Sequence, residues 1–344
     1  MRSALVVLFL LAMTATCSFS QKNGHSISVV QFPILSGPYL GQTPPGIQPV
    51  VFAPGIVSTG LYTRDISMIN DGNEIYFCIS DPAVTAVFVT KLVNNRWTEP
   101  VIAPFSGKGF FDFEPHITPD GKRFFFLSGR PPQGMEPKSG WFYQKIWMMT
   151  RTDTGWGEPE MVNEPVSSEN NEFFPSVTNE NILYFTRMTK AGKSGIYRSV
   201  FENGRYLAPE ILNFDIPEKG ILFNAFISPK EDFLITCALG IDSTNIDQDY
   251  YISFKSSDGS WSSLIRFGPD INAPGDNANS AYVSPDGKYL FFSSSRIDPD
   301  RLQVTSGTTL RDIIGTKSLP GNGSSAIYWV DARIIESLRP REIN

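Results

Sequence analysis

Apolar runs recur along residues 61–335 of the 344-residue chain, each set off by a polar turn. The clearest are Ile75-Tyr76-Phe77, Phe124-Phe125-Phe126, Ile182-Leu183-Tyr184-Phe185, Phe233-Leu234-Ile235 and Tyr289-Leu290-Phe291-Phe292. They are nearly continuous rather than alternating, and rich in aromatic and β-branched residues. That pattern reads as strands covered on both faces. One turn precedes each run: Asn70-Asp71-Gly72, Pro119-Asp120-Gly121, Asn179-Glu180-Asn181, Pro229-Lys230-Glu231 and Pro285-Asp286-Gly287. The last residues of successive turns lie 49, 60, 50 and 56 positions apart. Asp-Gly and Asn supply the positive φ of a tight hairpin. Lys230-Glu231 is the chemically weakest version.

A period of this size marks a repeat architecture. A short strand precedes each turn, as in His116-Ile117-Thr118 and Tyr282-Val283-Ser284. A third strand follows each apolar run, as in Ala86-Val87-Phe88-Val89, Lys145-Ile146-Trp147-Met148 and Ala326-Ile327-Tyr328-Trp329. A fourth segment opens on an aromatic: Trp97-Thr98-Glu99-Pro100, Trp156-Gly157-Glu158-Pro159, Tyr206-Leu207-Ala208-Pro209 and Trp261-Ser262-Ser263-Leu264. Proline is confined to sheet edges, so this segment is predicted to be the outermost strand. Four-stranded sheets repeated radially make a β-propeller. The expected fold is all-β, a five-bladed β-propeller of four-stranded antiparallel blades. The fifth blade has no edge strand of its own, and residues 48–54 are expected to supply it and close the ring. Six blades are the alternative, although residues 21–60 hold only one good strand. The blades are expected near 61–104, 110–163, 172–214, 221–267 and 279–335 plus 48–56. Residues 48–338 then form one propeller domain, 21–47 an N-terminal extension and 339–344 a tail.

The succession Ser284-Pro285-Asp286-Gly287, Tyr289-Leu290-Phe291-Phe292, Ser294-Ser295-Arg296 and then Ile327-Tyr328 resembles the TolB-type, WD40-like β-propeller repeat. It recurs at 117–130, and the resemblance covers nearly all of residues 61–335. The resemblance implies the fold and an exported protein. It says little about activity, because propellers host unrelated functions.

The N-terminus agrees with export. Arg2 precedes an apolar run, 4–15, too short to span a bilayer, and Ser18-Phe19-Ser20 offers small residues before a cleavage at Gln21. Residues 1–20 are therefore read as a signal peptide, and the compartment as periplasmic or extracellular. A lipid anchor at Cys17 is the alternative. Losing Arg2 with the signal moves the formal charge from −6 to −7. That balance argues against a nucleic-acid partner, which needs a basic face. No later run is long enough for a transmembrane helix. Cys78 and Cys237 fall in the same strand of two non-adjacent blades and are expected to be buried free thiols.

Candidate chemistry lies on two features. The connections between second and third strands, 131–144, 238–249 and 297–325, share a rim with the inter-blade segments, and long loops on a rigid scaffold are where binding is expected. Trp141, Phe142 and Tyr143 stand in the first of them. The innermost strands place Asp65 and Glu114 in the channel, at positions equivalent to Phe174, Asn224 and Ser280, with Asp112, His116 and Glu172 nearby. Clustered carboxylates suit a hard cation, so Ca²⁺ is a candidate there, although no EF-hand-like loop supports it. Arg130, Arg187 and Arg296 follow the second strand in three blades and are candidates for clamping an anion. The alternative is that each pairs with an acid or carbonyl of a neighbouring blade.

The catalytic inventory is poor. There are two histidines, His25 and His116, and no Gly-x-Ser-x-Gly elbow. The leading reading is a non-enzymatic binding or scaffolding module for a protein, peptide or glycan in the cell envelope. The alternative is a carbohydrate-active hydrolase with paired carboxylates drawn from Asp112, Glu114 and Glu172.

Overall fold

The computed structural model describes residues 31–82, 84–242, 247–298, 300 and 304–341. The expected signal peptide and the alternative lipid anchor at Cys17 lie outside the described residues. The chain divides at Pro33, and the propeller is the unit from Ile34 onward. Among the described residues, no helix is long and apolar enough to cross a membrane.

Five antiparallel sheets are arranged as the blades of a propeller. Their innermost strands are Thr63–Met68, Asp112–Ile117, Asn171–Val177, Ile221–Ile227 and Ala281–Val283. The second strands, Glu74–Asp81, Arg123–Ser128, Leu183–Met188, Phe233–Leu239 and Tyr289–Ser294, carry the apolar runs. Phe77, Phe124, Phe125, Phe126, Phe185 and Phe291 are sealed from solvent, as strands sandwiched between neighbouring blades must be. The turn before each second strand has the same geometry in all five blades. Its last residue lies in the left-handed region: Gly72 at φ 71°, Gly121 at 70°, Asn181 at 62°, Glu231 at 59° and Gly287 at 72°. Glu231 adopts it without glycine's freedom, while its carboxylate takes a 2.8 Å ion pair from Lys255.

Closure follows the expected route. Val50 pairs with Trp329 and Val51 with Tyr328, completing the blade whose other strands come from the far end of the chain. Phe52 is fully buried and meets Phe291 and Trp329 edge-on, with ring centroids 5.1 and 5.3 Å away. The preceding segment extends the clasp. Leu35 and Gly37 carbonyls accept the backbone and indole N–H of Trp97 at 2.9 and 2.7 Å. Tyr39 packs on Trp329, and the Gly46 carbonyl accepts the Asp331 N–H at 2.9 Å.

The outer strand differs from expectation. The aromatic does not begin the edge strand; it ends a small hairpin that prolongs the third strand. Trp97 pairs with Leu92, Trp156 with Arg151 and Tyr206 with Phe201. The chain then passes through Pro100, Pro159 or Pro209 and returns as a two-residue edge strand: Val101–Ile102, Glu160–Met161 and Glu210–Ile211, with Ile265–Arg266 in the fourth blade. Proline cannot donate to a ladder, so it occupies the kink between two pairings. The aromatic is thereby turned inward, and Trp97 and Tyr206 are buried.

A helix, Leu310–Lys317, stands in the long insertion of the fifth blade, capped by reciprocal bonds between Thr309 and Asp312. A second, Arg333–Glu336, follows the last strand. Cys78 and Cys237 are buried free thiols, and burial pushes both pKa values up.

Candidate functional site

Four of the five innermost strands bulge at one shared position. Asp65, Glu114, Phe174 and Asn224 have φ of 52°, 56°, 52° and 51°, and the strand register shifts across each of them. Left-handed backbone is unfavourable for such residues; the bulge turns the side chain from its own sheet toward the channel and the next blade.

Asp65 and Glu114 meet there, but a guanidinium stands between them. Arg64 Nε donates to both Asp65 oxygens at 3.0 Å, and a terminal nitrogen donates to Glu114 Oε1 at 3.1 Å. Glu114 Oε2 accepts the Phe174 N–H of the next blade at 2.7 Å. One cation cannot neutralise two carboxylates in a site closed to water. Burial, with Asp65 beside it, therefore pushes the Glu114 pKa up to about 8 despite Arg64. Arg64 occupies the centre where a cation was expected. Among the described residues, no three acid, histidine or cysteine side chains converge to hold a metal.

His116 lies one layer further along the channel and belongs to a ring of inter-blade bonds. Its Nε2 accepts the Val177 N–H at 2.9 Å. Ser67 Oγ accepts the Ile117 N–H, Ser176 Oγ the Ile227 N–H, and Tyr282 Oη the Met68 N–H, at 3.0, 3.0 and 3.1 Å. Burial lowers the His116 pKa to about 4, with the Val177 bond acting the other way. The imidazole is neutral, as an acceptor must be.

The remaining candidates do not join this centre. Asp112 is sealed from solvent and paired with Arg130; burial raises its pKa although Arg130 opposes this. Glu172 is equally sealed, taking bonds from Lys145 at 2.7 Å, from Arg187 at 3.1 Å and from Ser168. The three arginines share one local pattern and do not converge on a ligand. Arg130 donates to the Phe105 carbonyl, Arg187 to those of Pro165 and Val166, and Arg296 to those of Asp270 and Ile271. Each carbonyl belongs to the segment leading into that blade, and each guanidinium also lies over an aromatic of its own blade: Phe126, Tyr197 or Tyr328.

Solvent meets aromatic surface elsewhere on the loop-bearing rim. Trp141 is 53% exposed, with its ring centroid 4.2 Å from that of Phe111 and 5.2 Å from Phe113. Phe142 is 63% exposed, while Tyr143 is buried and donates to the Glu136 carbonyl at 2.9 Å. The helix in the fifth-blade insertion, on the same rim, exposes Leu310, Ile313 and Ile314. A cavity of about 620 Å³ opens at the opposite end of the channel, among the hairpin turns. Sequence reading assigned no role to Arg64, Lys145 or this turn-side cavity. A signal for the two cations lay in the acids placed at and near the channel, since carboxylates that become buried there require partners.

No protein-family model matches the chain, and no curated protein matches it. Solved structures do. TolB from Acinetobacter baumannii aligns over 79% of this chain and 57% of its own, at 15% identity and a TM-score of 0.46. The chain thus spans little more than half of that protein. A putative TolB from Agrobacterium tumefaciens aligns over 79% and 90%, at 13% identity and a TM-score of 0.46. An N-acetylgalactosamine deacetylase from F. plautii, in complex with blood group B trisaccharide, aligns over 89% and 97%, at 11% identity and a TM-score of 0.48. These are distant likenesses of fold.

Proposed function

We propose that this propeller is an exported, non-enzymatic binding module. It docks a protein, peptide or glycan of the cell envelope on its loop-bearing rim. The observation that carries this reading is the pair Trp141 and Phe142, which face solvent while Phe111 and Phe113 hold the indole in place from beneath. A large aromatic fixed at the surface is the usual anchor of a recognition site, because little side-chain entropy is lost when a partner covers it. The exposed apolar residues Leu310, Ile313 and Ile314 enlarge the apolar area of the same rim. The carboxyl groups that a glycoside hydrolase would need are tied to cations of the scaffold: Asp112 to Arg130, Glu114 to Arg64, Glu172 to Lys145 and Arg187. Export rests on the pattern of residues 1–20.

The test is capture of partners from an envelope extract, together with a glycan-binding screen, using wild type and Trp141→Ala. Partners retained by wild type and lost by W141A, with unchanged melting, support the reading and say whether they are protein or glycan. Capture that is indifferent to Trp141, or turnover of a glycan substrate, overturns it.

A further inference from the structure

The turn-side cavity of about 620 Å³ is lined by apolar side chains, among them Met68, Ile117, Val177, Phe226, Phe233 and Ile335. A gap in the inter-blade ring opens onto it. In the fifth blade, the Ser284 N–H donates to the Tyr289 carbonyl at 2.9 Å, and the preceding pair is Val283 with Leu290. In an antiparallel ladder, bonded and non-bonded pairs alternate. The Val283 N–H therefore points away from its own sheet, toward the channel, as do those of Met68, Ile117, Val177 and Ile227. Those four are taken by Tyr282, Ser67, His116 and Ser176. The residue placed to take the fifth is Phe226, a hydrocarbon. Among the described residues, no other group accepts the Val283 N–H. Val283 is also the one member of the five that is not fully buried, and it lines the cavity.

In the same sector of the rim the charged side chains pair with one another, with one exception. Asp286 is paired with Lys288, Glu336 and Asp232 with Arg339, and Arg333 with Asp331. Lys230 lines the cavity, is exposed, and has no ion-pair partner among the described residues. The mouth therefore offers one free backbone donor, one free cation and apolar walls.

We infer that this cavity binds a small apolar carboxylic acid in its carboxylate form. One oxygen takes the Val283 N–H, Lys230 balances the charge, and the hydrocarbon body lies against the apolar walls. A carboxylate is the group that answers both features, since it accepts hydrogen bonds and carries negative charge. The site is at the opposite end of the channel from Trp141 and does not rest on the docking role given to that rim.

Octanoate is the probe, titrated into the ¹⁵N-labelled full-length protein, with octan-1-ol as the uncharged control. Saturable octanoate binding that moves the Val283 amide resonance is expected, with octan-1-ol weaker by roughly tenfold. Phe226→Tyr places in the fourth blade the hydroxyl that Tyr282 supplies in the fifth. It is expected to occupy the Val283 N–H and weaken octanoate by roughly tenfold. Phe226→Leu, which brings no acceptor, is expected to stay within about threefold of wild type. Lys230→Gln tests the charge independently and is expected to weaken octanoate but not octan-1-ol. Absent or non-saturable octanoate binding, equal affinity for the alcohol, equal losses in F226Y and F226L, or unchanged affinity in both F226Y and K230Q would each overturn the assignment.

Discussion

His116 Nε2 in the second blade accepts the backbone N–H of Val177 in the third at 2.9 Å, so this channel histidine is a joint between blades. Its properties follow from that position. The imidazole must be neutral to accept, and burial keeps it so down to a pKa of about 4, against 6.5 for a free histidine. The unfolded chain takes up a proton before the native protein does. The stability His116 contributes is therefore fully present above pH 6.5 and is lost as pH falls toward 4. Denaturant unfolding of wild type and His116→Gln between pH 4 and 7 should show wild type losing stability relative to the variant as pH falls, by on the order of 3 kcal/mol at the acid end. Parallel curves would refute this.

Glu114 predicts the opposite slope. Its native pKa of about 8 lies above the usual 4.5, so the native protein keeps a proton that the unfolded chain has released. Its contribution is complete below pH 4.5 and is lost as pH rises through 8. Glu114→Gln replaces the neutral acid by a neutral amide. Wild type should lose stability relative to it between pH 5 and 8.5, by on the order of 3 kcal/mol. Thermal melting across that range is the measurement.

Arg64 is the only cation paired with Asp65 or Glu114 among the described residues. Arg64→Met strands a buried carboxylate at Asp65 and should cost about 3–5 kcal/mol. Adding Asp65→Asn removes the stranded charge with a residue that tolerates the left-handed backbone at φ 52°. The double variant should recover most of the loss, and a double-mutant cycle by urea unfolding measures it. Additive costs would mean that the pair does not function as a unit.

Phe52 tests the clasp. It is fully buried between Phe291 and Trp329, so Phe52→Ala should cost about 3–5 kcal/mol. Amide exchange should then rise first in Ala326–Asp331, the strand that Val50–Val51 pairs with. Uniform acceleration throughout the molecule would show that closure is not a local weak point.

The fold was legible because it is repeated: the hairpin turn and the apolar run recur in all five blades, and the edge proline in three. The closing strand was legible by subtraction, as the edge missing from the fifth blade. The outer edge was not, because which residue pairs with the third strand depends on where the chain bends after Trp97 or Tyr206, and hydrophobic pattern does not encode that bend. Asp65 and Glu114 were legible as innermost-strand residues, yet their pairing was hidden. Whether Glu114 is free or shares Arg64 with Asp65 depends on a left-handed bulge at non-glycine residues, for which composition gives no signal. The column Ser67, His116, Ser176, Phe226, Tyr282 lies two residues beyond the aligned positions of Asp65 and its equivalents and was not read from the sequence; its apolar member is where the ring lacks a rung.

Fastening the ring with Val50–Val51 has a consequence for biosynthesis. The strand is made among the first of the propeller, and its partner, Ala326–Asp331, among the last. Until that partner arrives, Phe52 and an open ladder edge have no cover, and such edges invite aggregation and proteolysis. A product stopped short of residue 326 cannot acquire the seal, however well its earlier blades have formed. Closure of the ring thus waits on synthesis of the last strand.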